Sequence, residues 1–178
     1  EIINVYGLNA LTLIKTRNDL SYPLIRALLE QKGAQYLLVD RLQMVSFKLK
    51  RIVDNWETGD LLLKQTLMEI MNRMNLVDFA EAIRVQGDSR GKGKTILMSA
   101  AQRGYKETVS FLINEGNADI TLLDHLNNTA LMYAGEYGHT AVVELLLTQL
   151  GKLNMLEQIN NQDTKDTSVL MRAAFRGY

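Results

Sequence analysis

Three copies of one eleven-residue pattern constrain this chain more than any other feature. They read TILMSAAQRGY at Thr95–Tyr105, TALMYAGEYGH at Thr129–His139 and SVLMRAAFRGY at Ser168–Tyr178. Their first residues lie 34 and 39 positions apart, and a period of this size is typical of stacked supersecondary units. The chain is therefore predicted to build a solenoid from repeated units.

Each copy predicts a short helix that ends in a glycine turn. A hydroxyl residue opens the copy, and a small pair in its middle allows close helix packing. The glycine that follows accepts a positive φ and ends the helix in a tight turn; these glycines are Gly104, Gly138 and Gly177. A second apolar stretch with helical spacing follows the first two copies, at Thr108–Gly116 and Ala141–Gln149. Polar segments then reverse the chain before the next unit.

This pattern resembles the ankyrin repeat, in which a hairpin-like turn and two antiparallel helices occupy about 33 residues. The matching positions in two consecutive units are Gly93, Thr95, Leu97, Ala100, Ala101, Gly104, Val109, Leu112 and Gly116, then Thr129, Leu131, Ala134, Gly138, His139, Val142, Val143, Leu145 and Leu146. A fainter copy opens the chain, with Gly7, Leu11, Leu28, Leu29, Gly33 and Ala34. The resemblance implies an all-α, ankyrin-type helical solenoid with short hairpin-like turns and a divergent helical middle segment.

The copies depart from the family pattern in the first turn of the helix. Where the family usually reads Thr-Pro-Leu-His, methionine replaces the histidine; the three positions are Met98, Met132 and Met171. The hydrogen bonds that this histidine supplies between neighbouring turns cannot form, so we expect the turns to be less regular. His139 occupies the family's usual histidine position after the turn glycine, where a local structural role is expected.

The repeat signature divides the chain into three parts. Residues 1–34 are predicted to form a divergent ankyrin-like repeat, residues 35–86 a helical segment or degenerate repeats, and residues 87–178 ankyrin repeats of which the last is truncated. In the middle part an apolar stripe predicts a long helix, and Asp60 is expected to cap the helix that follows. Because the last unit stops after its first helix, we expect the natural chain to continue and Leu170 and Met171 to lack part of their cover.

Composition excludes several classes of function. The 20 basic and 20 acidic residues balance, which argues against a protein built to hold nucleic acid. The chain has no cysteine and only two histidines, so thiol chemistry, disulfides and most imidazole metal sites are unavailable. The absence of cysteine fits an intracellular, cytoplasmic location. No stretch reaches the roughly 18 apolar residues of a membrane span.

One segment is similar to a phosphate-binding loop. Residues 87–95 read GDSRGKGKT, but Asp88 stands where the motif G-x-x-x-x-G-K-[ST] requires its first glycine. Helical patterning also precedes the segment, where such a loop should follow a strand. The sequence therefore predicts no catalytic residue, no cofactor, no metal site and no small-molecule substrate.

The family resemblance implies a protein partner bound on the concave surface, which turn tips and inner helices form. Tyrosine and arginine often dominate interface energies, and such residues recur just before the turn glycines. The predicted contacts there are Gln102, Arg103, Glu136, Tyr137, Phe175, Arg176 and, in the faint first unit, Arg17. Those on the turns are Lys92, Lys94, His125, Leu126 and Lys165. The basic residues at one end favour an acidic patch on the partner.

Two alternatives stay open at this point. The first alternative is that this fragment is the substrate-recruiting arm of a larger enzyme or of a secreted bacterial effector that works in the host cytosol. In that case the catalytic part lies outside this fragment. Divergent repeats with helical interruptions are similar to those of effectors from intracellular bacteria. The second alternative is that the basic helix with Arg41, Lys48, Lys50 and Arg51 is a calmodulin-binding or membrane-surface segment.

Overall fold

The structure, a computed structural model, describes residues 35–74, 76–86 and 93–178. These residues form eight α-helices, one 3₁₀ helix and no strand, which confirms the predicted all-α class. The helices are α1 Gln35–Asp54, α2 Asp60–Met74, α3 Leu76–Arg84, α4 Ile96–Arg103, α5 Lys106–Asn114, α6 Ala130–Glu136, α7 Thr140–Lys152, the 3₁₀ helix Leu156–Asn160, and α8 Val169–Arg176. The predicted first repeat, residues 1–34, lies outside the described residues.

The chain divides into two compact parts, Glu1–Asp40 and Arg41–Tyr178. In the second part the helices form two rows. An inner row stacks α4, α6 and α8 in order, and an outer row places α2, α5 and α7 side by side. Helix α4 pairs with α5 and α6 with α7, so each predicted helix pair is confirmed. The largest fully buried side chains come from both rows and from α1 and α3: Phe79, Phe111, Leu63, Leu67, Ile96, Met98, Leu112, Met132, Leu146, Val53, Val109 and Val142.

The hydroxyl residue of each copy begins an inner helix. The side-chain oxygens of Thr95, Thr129 and Ser168 accept hydrogen bonds from backbone N–H groups three residues later, at 3.3, 3.1 and 3.4 Å. Such N-caps satisfy donors that the first helical turn cannot pair internally. The glycine of each copy follows the helix with φ between 71° and 82°. Both local predictions from the repeat are confirmed.

The end of the last unit is exposed as expected. Leu170 and Met171 are 70% and 55% exposed, whereas the equivalent Leu131 and Met132 of the preceding unit are buried. The difference arises because α6 is covered by α8 on one side and α4 on the other, while α8 packs only against α6 among the inner helices of the described residues. Packing by the next unit, rather than composition, therefore decides burial at these positions.

Asp60 does not have the role that the sequence predicted. It is the first residue of α2, and its carboxylate accepts hydrogen bonds from the backbone N–H groups of Glu107 and Thr108 at 2.6 and 2.9 Å. Helix α5 has no cap of its own, because Tyr105 stands at its N-cap position without a side-chain hydrogen bond to the helix. The prediction that Asp60 caps α2 is wrong: the carboxylate caps the neighbouring helix of the outer row.

Replacing Asp60 with alanine is expected to lower the free energy of unfolding by about 1–2 kcal/mol, because α5 loses its charged N-terminal cap. Urea unfolding followed by circular dichroism measures the change. Glu69→Ala is the matched control, since Glu69 is an exposed carboxylate of the same helix, and its replacement is expected to change stability by less than about 0.5 kcal/mol. Equal stabilities of the two variants would contradict the capping role.

Helix α1 buries part of its apolar face within the fold. Leu49 and Val53 are buried, and so is Lys50, while the Arg51 guanidinium lies 5.9 Å from the centre of the Phe47 ring. A calmodulin target or a membrane-surface helix needs its apolar face for the partner. Leu49 and Val53 are therefore not available to such a partner, whereas Met44 and Phe47 of the same helix are 59% and 37% exposed.

Candidate functional site

The candidate site is the face formed by the inner helices α4, α6 and α8 and by the tips of the two turns at residues 124–128 and 163–167, here called the inner face. In each turn an aspartate binds the backbone of the residues that follow it. Asp124 Oδ1 accepts from the N–H groups of Leu126 and Asn128, both at 2.8 Å. Asp163 Oδ1 accepts from those of Lys165 and Thr167 at 2.8 and 2.9 Å.

These aspartates correct the expectation of irregular turns. Both turns close with a hydrogen bond from the aspartate N–H to the carbonyl four residues later, at 3.0 and 3.2 Å. Both also place the residue before that carbonyl at positive φ, 59° at Asn127 and 58° at Asp166. The turns are regular because the aspartate side chains organise them in place of the family's histidine. The Thr164 N–H also donates to the Leu126 carbonyl at 3.0 Å, which holds the two tips together.

A polar network extends from these turns across the inner face. Tyr133 on α6 donates its hydroxyl to Asp124 Oδ2 at 2.6 Å, and the Asn128 side-chain amide donates to the same oxygen at 2.9 Å. Arg172 on α8 donates to Asn128 Oδ1 and to Asp163 Oδ2. Its other terminal nitrogen lies 2.9 Å from Glu136 Oε2. One arginine therefore links two turns and two inner helices.

Sequence reasoning missed the centre of this network. Tyr133 and Arg172 occupy the same position in successive copies, where the first copy has Ser99, but the predicted contacts lay only on the turns and next to the turn glycines. A usable signal was present, because Asp124 and Asp163 each stand five residues before the hydroxyl that caps an inner helix. Aspartate is favoured in turns because its side chain binds the backbone two residues on.

The surroundings of Asp124 and Tyr133 shift the pKa values of these two groups in opposite directions. Burial raises the pKa of the Asp124 carboxyl, but the hydrogen bonds from Tyr133, from the Asn128 amide and from the backbone together outweigh burial and hold it below its ordinary value. Burial and the hydrogen bond to Asp124 raise the pKa of the Tyr133 phenol. At neutral pH the Asp124 carboxyl is therefore ionised and the Tyr133 phenol stays protonated. A hydrogen bond from a hydroxyl to a charged carboxylate is stronger than one between neutral groups.

Three predicted contacts lie at the ends of successive inner helices. Arg103 and Arg176 are the last residues of α4 and α8, and Tyr137 follows α6. All three are exposed. The Tyr137 ring lies parallel to the His139 ring, with 6.4 Å between centroids and 11° between planes. The Arg176 guanidinium lies 3.0 Å from Glu136 Oε1. Glu136 therefore pairs with Arg172 through Oε2 and with Arg176 through Oε1.

The remaining predicted contacts surround these ends. The Lys94 ammonium donates to Gln102 Oε1 at 2.6 Å and lies 4.1 Å from the centre of the Tyr133 ring. Leu126 and Phe175 are 43% and 89% exposed, and Lys165 is also exposed. His125 is exposed at its turn tip, and its ring packs over Gly93. The predicted contacts Lys92 and Arg17 lie outside the described residues.

His139 has the local structural role that the sequence predicted. Its Nε2 atom lies 2.9 Å from the Gln102 carbonyl oxygen, which belongs to the preceding inner helix. The imidazole therefore joins two units through a backbone contact. No group of three or more potential metal ligands occurs in the part of the chain that the structure describes.

The network forms one wall of a cavity of about 190 Å³ on the inner face. Both turn tips and residues of α4, α6 and α8 contribute to its lining. The lining residues are Lys94, Gln102, Leu126, Asn128, Tyr133, Glu136, Tyr137, Asp163, Thr164, Lys165 and Arg172. Six of these lining residues are contacts that the sequence predicted: Lys94, Gln102, Leu126, Glu136, Tyr137 and Lys165.

Stacked helix pairs joined by hairpin-like turns define a helical-repeat protein. A family model described as ankyrin repeats (3 copies) matches residues 59–155, which is more than half of the chain. This chain belongs to the ankyrin repeat family. Ankyrin repeats are generally protein–protein interaction modules and are typically non-catalytic. Within the described residues, no helix is both long and apolar enough to cross a membrane.

Proposed function

We propose that this chain is a protein-binding module that holds a partner protein against its inner face and turn tips. The observation that supports this most directly is the placement of Arg103, Tyr137 and Arg176. All three are exposed at equivalent positions of neighbouring inner helices, and stacked helices lie about 10 Å apart. One partner surface can therefore contact all three side chains.

The network beneath these side chains favours binding. Arg172 fixes the two turns relative to α6 and α8, so little conformational freedom is lost when a partner docks. Exposed cations on or beside the inner face include Arg103, Lys165 and Arg176, and they favour a partner with an acidic patch. The balanced net charge supports a protein rather than a nucleic acid as the partner. The lack of cysteine supports a module that works in the cytoplasm.

A triple variant tests the proposal. Arg103→Ala, Tyr137→Ala and Arg176→Ala combined are expected to leave the chain folded, because all three residues are exposed. Removal of a tyrosine or arginine anchor typically weakens an interface about thirtyfold or more, so the triple variant should no longer retain its partner. The measurement is affinity capture from extract of the source cells, with the bound proteins identified by mass spectrometry.

Glu144→Ala is the control, since Glu144 is exposed on α7 in the outer row. We expect this variant to retain the partners of the wild-type chain. Thermal unfolding followed by circular dichroism establishes that each variant is folded. A folded triple variant that captures every wild-type partner would show that the inner face is not the binding surface.

A further inference from the structure

We propose that the cavity on the inner face accepts an acidic side chain of the partner, while a neighbouring apolar side chain of the partner rests on Leu126 and Tyr137. This inference depends on the proposed function, because it assumes a partner protein on the inner face. It adds the chemistry that the partner must present. The recognised element is a peptide segment in which aspartate or glutamate stands next to an aliphatic or aromatic residue.

The size of the cavity favours one side chain. Its volume is about 190 Å³, below the roughly 300–1,000 Å³ of most small-molecule sites. Residues of both turn tips line it, including Leu126 on one tip and Thr164 and Lys165 on the other. A side chain that projects from a docked segment can enter it, whereas a nucleotide-sized ligand exceeds it.

The charges of the cavity favour an anion. Its lining carries three cationic side chains, Lys94, Lys165 and Arg172, and two carboxylates, Glu136 and Asp163. Both carboxylates are ion-paired with Arg172, and Glu136 also with Arg176. An incoming cation would therefore compete with bonds that already exist. The Lys165 side chain forms no ion pair among the described residues, so an incoming carboxylate gains an ionic partner without breaking one.

The rim supplies the apolar part of the site. Leu126 and Tyr137 both line the cavity and are 43% and 42% exposed. The Tyr137 ring is held parallel to the His139 ring, which is fixed by its contact with the Gln102 carbonyl. A rigid aromatic ring beside an exposed leucine buries apolar surface at low entropic cost. The cavity lining thus combines cationic side chains with exposed apolar ones.

Peptide selection tests this inference with a defined probe. Random peptides displayed on phage are selected on the immobilised full chain, and those that also bind the Arg103, Tyr137 and Arg176 triple variant are discarded. The remaining peptides are expected to share an aspartate or glutamate beside an apolar residue. Their dissociation constants for the wild-type chain are then measured with synthetic peptides by fluorescence anisotropy.

Two charge reversals separate the cavity from general electrostatics. Lys165→Glu is expected to weaken the selected peptide at least about tenfold, because like charges then meet in the cavity. Replacing the acidic residue of the peptide with lysine should restore binding to this variant. Lys152→Glu is the matched control: it makes the same change of net charge in the last turn of α7, and affinity should stay within about twofold.

The outcomes distinguish the two proposals. Peptides that depend on the three anchors but show no acidic preference, or that bind Lys165→Glu as well as the wild-type chain, would overturn the cavity inference and leave the protein-binding function intact. A selection that yields no anchor-dependent peptide would count against both. Equal losses in Lys165→Glu and Lys152→Glu would also overturn the inference, since the effect would then come from net charge alone.

Discussion

Replacing Gly104 with alanine is expected to lower the free energy of unfolding by about 3 kcal/mol. Gly104 ends α4 with φ 73° and ψ 21°, a left-handed conformation that costs an L-residue about 1–2 kcal/mol. An added Cβ would also lie 2.5 Å from His139 Nδ1. Because His139 is bonded to the Gln102 carbonyl, its ring cannot move aside without loss, and such overpacking adds about 1–3 kcal/mol.

Gly177→Ala is the control for this substitution. Gly177 has nearly the same conformation, with φ 82° and ψ 24°, but no atom outside its own neighbours lies within 4 Å of an added Cβ. Its replacement should therefore show the conformational cost alone, about 1 kcal/mol. Urea unfolding of both variants gives the difference. If the two glycines tolerate alanine equally, the packing of His139 against Gly104 is not what joins these units.

Replacing Asp124 with asparagine is expected to destabilise the chain by about 2–3 kcal/mol. The carboxylate is buried and accepts four hydrogen bonds, from the backbone of Leu126 and Asn128, the Asn128 amide and the Tyr133 hydroxyl. An amide in its place removes the charge, and its NH₂ group faces either the two backbone N–H donors or the two side-chain donors, where it cannot accept a hydrogen bond. Hydrogen bonds to charged groups are worth about 1.5–3 kcal/mol each. Thermal and urea unfolding at neutral pH measure the loss.

Asp166→Asn makes the same chemical change without the network. Asp166 is exposed at φ 58°, a conformation that asparagine adopts readily, so its replacement should be neutral or slightly stabilising. The contrast between the two variants isolates the buried bonds of Asp124. Equal effects would mean that the turn tolerates either residue and that the network adds little to stability.

The contribution of Asp124 should also depend on pH. Its pKa in the folded chain is below the ordinary value of 3.8, so the folded state holds this proton less tightly than the unfolded state does. The stabilisation is present above pH 3.8 and is lost as pH falls through the lower pKa of the folded chain. The stability difference between the wild-type chain and Asp124→Asn should therefore shrink in strong acid. A difference that stays constant from pH 7 to pH 2.5 would contradict the assignment.

The middle segment shows how far the repeat pattern extends beyond its clear copies. Sequence reasoning left residues 35–86 open as degenerate repeats or an insertion. The family match begins at residue 59, and α2 lies beside α5 in the outer row. We infer from these two observations that α2 is the outer helix of a degenerate repeat, although no copy of the eleven-residue pattern precedes it in residues 35–58.

The sequence by itself determined where each repeated inner helix begins and ends, because these features depend on residues only a few positions apart. The capping bonds of Thr95, Thr129 and Ser168 span three residues, and the glycines act through their own φ. Short-range bonds of this kind follow from residue type and spacing alone. For that reason the repeated helix, its start, its end and the ankyrin resemblance were all predictable.

Only the tertiary structure decided which distant groups meet. Asp60 caps a helix 47 residues further along the chain, and Arg172 binds groups 36 and 44 residues away. The two residues of each bond lie in different repeats, so whether they come into contact depends on the distance and register at which the helices stack. Residue type alone does not set that register. The cavity between Lys94, Tyr137 and Lys165 therefore exists only once the units are packed against one another.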